Sequence, residues 1–226
     1  MTLQALHALE ASEVIIGYTV YIDLVKDAFD GKQFLTTPMR QERRRCEMAF
    51  EQAQAGKTTA MICSGDAGVY GMAGLILEIG EHYPDTEVEV IPGVTAALGG
   101  AAVLGAPLMH DFCVISLSDL MTSAEKIDRR IRMTAEADFV ICLYNPSSRS
   151  RKDSLRHACG ILLECLPGDR VCAVARNVGR EGEAFRLLPL GELADAQTDM
   201  FCVVYIGNSQ TKIIGGRMVT PRGYQL

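Results

Sequence analysis

Five turns in this chain set glycine or polar side chains directly after an apolar run. In open α/β sheets that position, the carboxyl end of a strand, is where ligands bind. The sharpest of the five is Ser64-Gly65-Asp66-Ala67-Gly68-Val69-Tyr70-Gly71, which follows the run 58–64 and feeds a helical pattern. Its glycines let the main chain come close to a ligand and take positive φ. Asp66 adds an acceptor suited to ribose hydroxyls or an α-amino group. The turn is neither GxGxxG nor a Walker loop, because no Gly-Lys-Ser/Thr follows. A plain strand-to-helix turn with Asp66 as N-cap accounts for the same residues.

The second turn, Pro92-Gly93-Val94-Thr95-Ala96-Ala97, leads into small residues at Gly99, Gly100, Ala101 and Ala102. Such a run allows close approach by a ligand or by a packed helix. Three polar turns come later: Ser116-Leu117-Ser118-Asp119-Leu120-Met121, Tyr144-Asn145-Pro146-Ser147-Ser148 and Arg176-Asn177-Val178-Gly179-Arg180-Glu181-Gly182-Glu183. Each alone reads as a loop. Their recurrence after successive apolar runs points to a shared site.

The elements that must carry these turns alternate between helical and strand patterns, so the fold class is α/β. Helices are predicted over 3–11, from a Thr37-Pro38 start to a stop at Gly56, over 93–104, from a Thr122/Glu125 capping box to about 135, and over 152–166. Strands are predicted over 13–17, 58–64, 87–92, 112–117, 138–144, 170–176, 185–189 and 200–206. A shift toward β-branched and polar residues near 111 divides an N-terminal α/β lobe, 1–111, from a C-terminal α/β lobe, 112–226. A cleft between lobes is a usual place for a ligand.

Composition narrows the partners. The net charge is −6, there is no Trp, and aromatics are 6%, so neither a basic nor a base-stacking surface for nucleic acid is expected. No run approaches the roughly 20 apolar residues of a membrane span, and the start lacks a signal-peptide layout. The eight cysteines include no CxxC pair. They read as reduced core thiols of a cytoplasmic protein, with no metal site.

Together the motifs resemble the tetrapyrrole (corrin/porphyrin) methylase family, closest to its branch acting at C-17 of precorrin-3B or the cobalt form. The matching stretches are GYTVYIDL, SGDAGVYGMAGL, VIPGVTAA, GAPLMHDF, ISLSDLMT, LYNPSSRSR, ARNVGREGE and YIGNSQT, in order along nearly the whole chain. The resemblance implies a two-lobed α/β fold, a homodimer and S-adenosyl-L-methionine in the cleft between lobes. It implies C-methylation in cobalamin biosynthesis, with ring contraction to precorrin-4 or its cobalt form. Carried over by position, Gly65, Asp66, Ala67, Val69, Tyr70, Thr95, Ala96 and Asn145 are expected at the cofactor, with Asn177 and Val178 near a later contact. The family starts with an apolar strand ending in GxGPG, ahead of the helix that here begins near Met1. The first lobe is therefore expected to lack that strand and loop, and restoring them is expected to strengthen cofactor binding.

Methyl transfer from a sulfonium asks the protein for proximity, orientation and water exclusion. Ring contraction also needs proton handling, for which Asp119, His110 and Tyr144 are candidates; Asp119 as a helix cap and His110 as a plain loop residue are the alternatives. The substrate's carboxylates suit arginine, and Arg149, Arg151 and Arg176 are the expected binders. Arg40, Arg43, Arg44 and Arg45 form a second cluster, with Arg43 and Arg44 reading more simply as a solvated face paired to Glu42 and Glu47. Other functions remain open: a sister methylase acting elsewhere on the ring, a non-catalytic S-adenosylmethionine-binding module, or a dinucleotide oxidoreductase, against which the lack of GxGxxG argues.

Overall fold

The computed structural model describes residues 1–148 and 151–225. It divides into two compact units, Met1–Thr95 and Ala96–Leu226. The division falls at Thr95/Ala96, ahead of the expected 111/112 boundary, because the small-residue helix packs within the second unit's core.

The first unit opens with α1 (Leu3–Ala11), capped by Thr2, whose Oγ1 accepts from Ala5 N at 3.1 Å. Then come β1 (Val14–Tyr18), α2 (Thr19–Asp23), a 3-10 turn (Lys26–Ala28), β2 (Gln33–Thr37), α3 (Glu42–Gln54), β3 (Thr59–Met61) and α4 (Ala73–Gly80). The sheet runs β2-β1-β3, with both pairings parallel. Alternate β1 side chains enter two cores. Val14 and Ile16 pack with Cys46, Phe50 and Ile76, while Ile15 packs with Leu9, Ile22 and Phe29. Burial on both faces explains the unbroken apolar run of a parallel strand.

Two expectations fail here. Thr37-Pro38 does not start a helix: Thr37 ends β2, opposite Tyr18, and α3 begins at Glu42. Residues 87–92 form no strand. An alternating segment becomes a strand only by pairing, and β3 pairs with β1 on one edge without a described strand on the other.

The second unit carries α5 (Ala96–Leu104), β4 (Gly105–Ala106), β5 (Phe112–Ser116), α6 (Ala124–Glu136), β6 (Val140–Tyr144), α7 (Ser154–Cys165), β7 (Val171–Arg176), β8 (Ala184–Pro189), α8 (Leu190–Leu193), β9 (Cys202–Ile206), β10 (Lys212–Ile214) and β11 (Arg217–Val219). Its main sheet runs β5-β6-β9-β7-β8, parallel only between β5 and β6. On one face α6 buries Ile127, Ile131 and Ala135 at helical spacing, and α7 buries Leu155, Cys159 and Leu162. Ser123, not Thr122, is the residue before α6, and no side chain caps it. A second sheet, β10-β11-β4, contains a hairpin turned by Gly215 and Gly216 at φ 56° and 75°, as a two-residue loop with both φ positive requires.

On the other face α5 lies against β9 and β7. Tyr205 is fully buried, and its Oη donates to Ala96 O at 2.9 Å and Ala97 O at 2.8 Å. Burial pushes its phenol up, keeping the proton on the donor. Gly100 makes this approach possible, since a Cβ there would stand 2.3 Å from Tyr205 Oη. Gly100→Ala is expected to destabilise the protein by about 1–3 kcal/mol in urea unfolding, the usual cost of overpacking. Tyr205→Phe, which removes the colliding atom, should recover part of that loss; equal losses with and without the hydroxyl would disprove the contact.

Candidate functional site

In the first unit the turn after β3 is held by one carboxylate. Asp66 Oδ1 accepts from Gly68 N at 2.8 Å, and Oδ2 accepts from Gly93 N at 2.8 Å. These backbone donors hold the Asp66 carboxyl below the usual 3.8. The clamp is therefore complete above that value and is lost as the pH falls through the lowered one. Asp66 is not the N-cap of α4, which is preceded by Met72. Its partner lies in the Pro92-Gly93-Val94 turn, so one side chain joins two of the five turns. Gly93 has no room for a side chain, because a Cβ would stand 1.9 Å from Gly65 O. Gly65 takes φ 76° and Tyr70 φ 53°, and Tyr70 is 58% exposed. The turn thus presents main chain and an aromatic ring to solvent.

Arg45 was only one member of an arginine cluster in the sequence, and the structure separates it from the rest. It is 4% exposed, and its guanidinium donates to Thr37 Oγ1 at 2.9 Å, Pro38 O at 3.2 Å and Met72 Sδ at 3.1 Å. It ties the end of β2 to the residue that opens α4. Arg43 pairs with Glu47 at 2.9 Å and Arg44 with Glu47 and Glu51, a solvated-face arrangement in which Glu51 stands where Glu42 was expected, Glu42 accepting instead from Arg40 N at 3.2 Å.

In the second unit Tyr144, Asn145, Ser116, Ser118 and Asp119 gather at the carboxyl ends of β5 and β6. Tyr144 Oη accepts from Ala97 N at 2.6 Å, which brings the end of β6 to the start of α5 beside Ala96. Asn145 takes φ 53° and its Nδ2 donates to Ser116 Oγ at 2.9 Å. Asp119 pairs with Arg151 at 3.0 Å. His110 is not brought to this group. It precedes β5, with the strand's length between it and Asp119, and its buried Nε2 has no hydrogen-bond partner among the described residues.

The turn after β7 is braced by its own residues. Asn177, at φ 52°, donates from Nδ2 to Glu181 O at 3.3 Å, and Gly179 N donates to Glu183 Oε2 at 2.7 Å. Arg176 pairs with Asp199 at 2.7 Å. Arg149 lies outside the described residues.

A model of the tetrapyrrole (corrin/porphyrin) methylases matches residues 1–194. The chain is 47% identical over 227 residues to a probable cobalt-factor III C(17)-methyltransferase of Salmonella typhimurium, covering 100% of this chain and 94% of that protein. It is 38% identical over 233 residues to a precorrin-3B C(17)-methyltransferase of a Sinorhizobium species, covering 99% and 91%. A crystal structure of the methyltransferase CobJ superposes with a TM-score of 0.90 at 35% identity, covering 98% of this chain and 93% of that one. With a family match over most of its length, relatives aligned over more than nine-tenths of both lengths and the same fold in a solved methyltransferase, this chain belongs to the tetrapyrrole methylase family.

Proposed function

We propose that this chain transfers a methyl group from S-adenosyl-L-methionine to C-17 of precorrin-3B or its cobalt form, with ring contraction, in cobalamin biosynthesis. The observation that carries the reading is identity of 47% over the whole chain to a probable cobalt-factor III C(17)-methyltransferase. The lower identity of 38% to a precorrin-3B enzyme favours the cobalt-containing substrate.

S-adenosylmethionine supplies an electrophilic methyl group on a sulfonium centre. The chain's own part is to bind and orient. Gly65 at φ 76° leaves main chain open to close approach, and the clamped Asp66 fixes that main chain to the Gly93 turn. Gly65, Asp66, Ala67, Val69, Tyr70, Thr95, Ala96, Asn145, Asn177 and Val178 are the cofactor contacts of this reading. The sequence offers Asp119, Tyr144 and His110 as proton-transfer candidates, of which His110 lies at the other end of β5, and Arg149, Arg151 and Arg176 as carboxylate binders. The reading also places the protein in the cytoplasm as a homodimer, to be checked by sedimentation against the 24.6 kDa chain. No helix among the described residues is long and apolar enough to cross a membrane.

Incubation with labelled S-adenosylmethionine and precorrin-3B, with and without cobalt, is expected to give a singly methylated, ring-contracted product by mass spectrometry. Methylation at another ring carbon would assign the chain to a sister activity, and binding without product to a non-catalytic role. Asp66→Asn sets an amide NH2 against one of two main-chain donors. Loss of one charge-assisted hydrogen bond, about 1.5–3 kcal/mol, should weaken S-adenosylmethionine binding by about ten- to a hundredfold in calorimetry. Unchanged affinity would take this turn out of the site.

A further inference from the structure

We infer that Arg151 and Asp119 act as one positioning unit, a latch between two loops, rather than as separate carboxylate-binding and proton-transfer groups. The inference rests on the proposed C-17 methyltransferase reading for its activity readout only.

β5 and β6 are parallel neighbours and end side by side, with Leu117 N donating to Tyr144 O at 2.9 Å as the last rung. Beyond that rung the main chains part into two of the five polar turns. The bond from Asn145 to Ser116 joins them close to the strands. Farther out, Arg151 Nη1 donates to Ser118 Oγ at 2.6 Å and to Asp119 Oδ1 at 3.0 Å, both on the loop after β5. On its own loop, Arg151 Nε donates to Ser148 Oγ at 3.4 Å, and the main chains of Arg151 and Ser148 exchange hydrogen bonds at 3.1 and 3.2 Å. A planar fork is needed to hold both loops from one side chain, which an ammonium does not provide.

Burial shows which partner is anchored. The Arg151 side chain is 19% exposed and that of Asp119 52%. A pair this open adds little to global stability. What it governs is local, because both residues line a cavity of about 330 Å3 whose other walls include Ile127 and Ile131 of α6 and His157 and Ala158 of α7. Beyond Leu117, which is buried in the core, that space leaves the polar bonds to set the loops' arrangement on this side. Asp119 Oδ1 is taken up by the guanidinium, so a substrate proton could move only through Oδ2 while the latch is closed.

The test is a double-mutant cycle on the full chain with Arg151→Met, Asp119→Ala and the pair, and Arg151→Lys as a variant that keeps charge without the fork. Each is followed by kcat and KM for the tetrapyrrole and by amide hydrogen exchange of residues 116–121. A latch predicts that each single change lowers kcat about tenfold, that the double change is no worse than about threefold beyond either, and that Arg151→Lys recovers little. It also predicts faster exchange of residues 116–121 in both single variants. Unchanged exchange there, or losses that multiply to about a hundredfold with a raised KM confined to Arg151→Met, would overturn it. If the unaltered chain proves inactive on precorrin-3B, the proposed function fails while the exchange result still decides the latch.

Discussion

Both oxygens of Asp66 accept from main-chain N–H groups, one in its own turn and one 27 residues away at Gly93. Everything else proposed for the first unit depends on that bond pair. A glycine-rich turn is free to adopt many shapes, and freedom is a cost when a ligand must find one of them. Closing the turn on Gly68 and then on Gly93 removes that freedom before any ligand arrives. The steric side of the joint agrees, since Gly93 sits so close to Gly65 O that no side chain fits between. Beneath it, Arg45 fixes the opening of α4 through Met72 and the end of β2 through Thr37. A buried guanidinium held only by neutral acceptors is expensive to desolvate, so its placement fits a demand for fixed geometry better than one for stability.

The second unit solves the same problem with tyrosines. Tyr144 accepts from Ala97 N and Tyr205 donates to the carbonyls of Ala96 and Ala97, so the first turn of α5 is gripped at donor and acceptor groups alike. The stripe of small residues in α5 is what lets the rings reach the helix backbone. Close packing, one of two readings that the sequence left open for Gly99 to Ala102, is what Gly100 does here.

Legibility followed the length of each pattern. The helix over 3–11 is read to the residue, and β5 to β9 are read within two residues at either end. Short elements escape unless they form an apolar run, as β1, β5, β6 and β9 do: α2, β2 and the β10–β11 hairpin lie in mixed stretches too short for periodicity to speak. The hairpin did carry a signal, the Gly215-Gly216 pair between two apolar runs. The 87–92 run shows the opposite error. Its alternation is that of a strand, but strands are made by neighbours, and no pattern within six residues reports whether a neighbour is there. The site divides likewise. The turns of the proposed site are visible in composition, whereas the links between them, Asp66 to Gly93, Tyr144 to Ala97 and Arg151 to Asp119, span 27 to 47 residues and come only from the fold.

The cysteines bear on what kind of catalyst this arrangement can be. A thiol attacks as thiolate, so a nucleophilic cysteine needs a lowered pKa and access. Burial does the reverse here, pushing Cys46 and Cys202 up to about 11 and Cys159 to about 12, with Cys142 and Cys172 raised as well. These thiols are core-filling side chains, as the apolar runs around Cys142, Cys172 and Cys202 suggest and as the charged neighbours of Cys46 do not. A reaction in which an electron-rich ring carbon attacks a sulfonium methyl asks for no protein nucleophile. It asks for two reactants held in line with water kept out. Fixed turns at strand ends, joined by single side chains, are suited to that task. By this argument the bonds that lock the turns together should matter more to rate than any one side chain's acid or base strength.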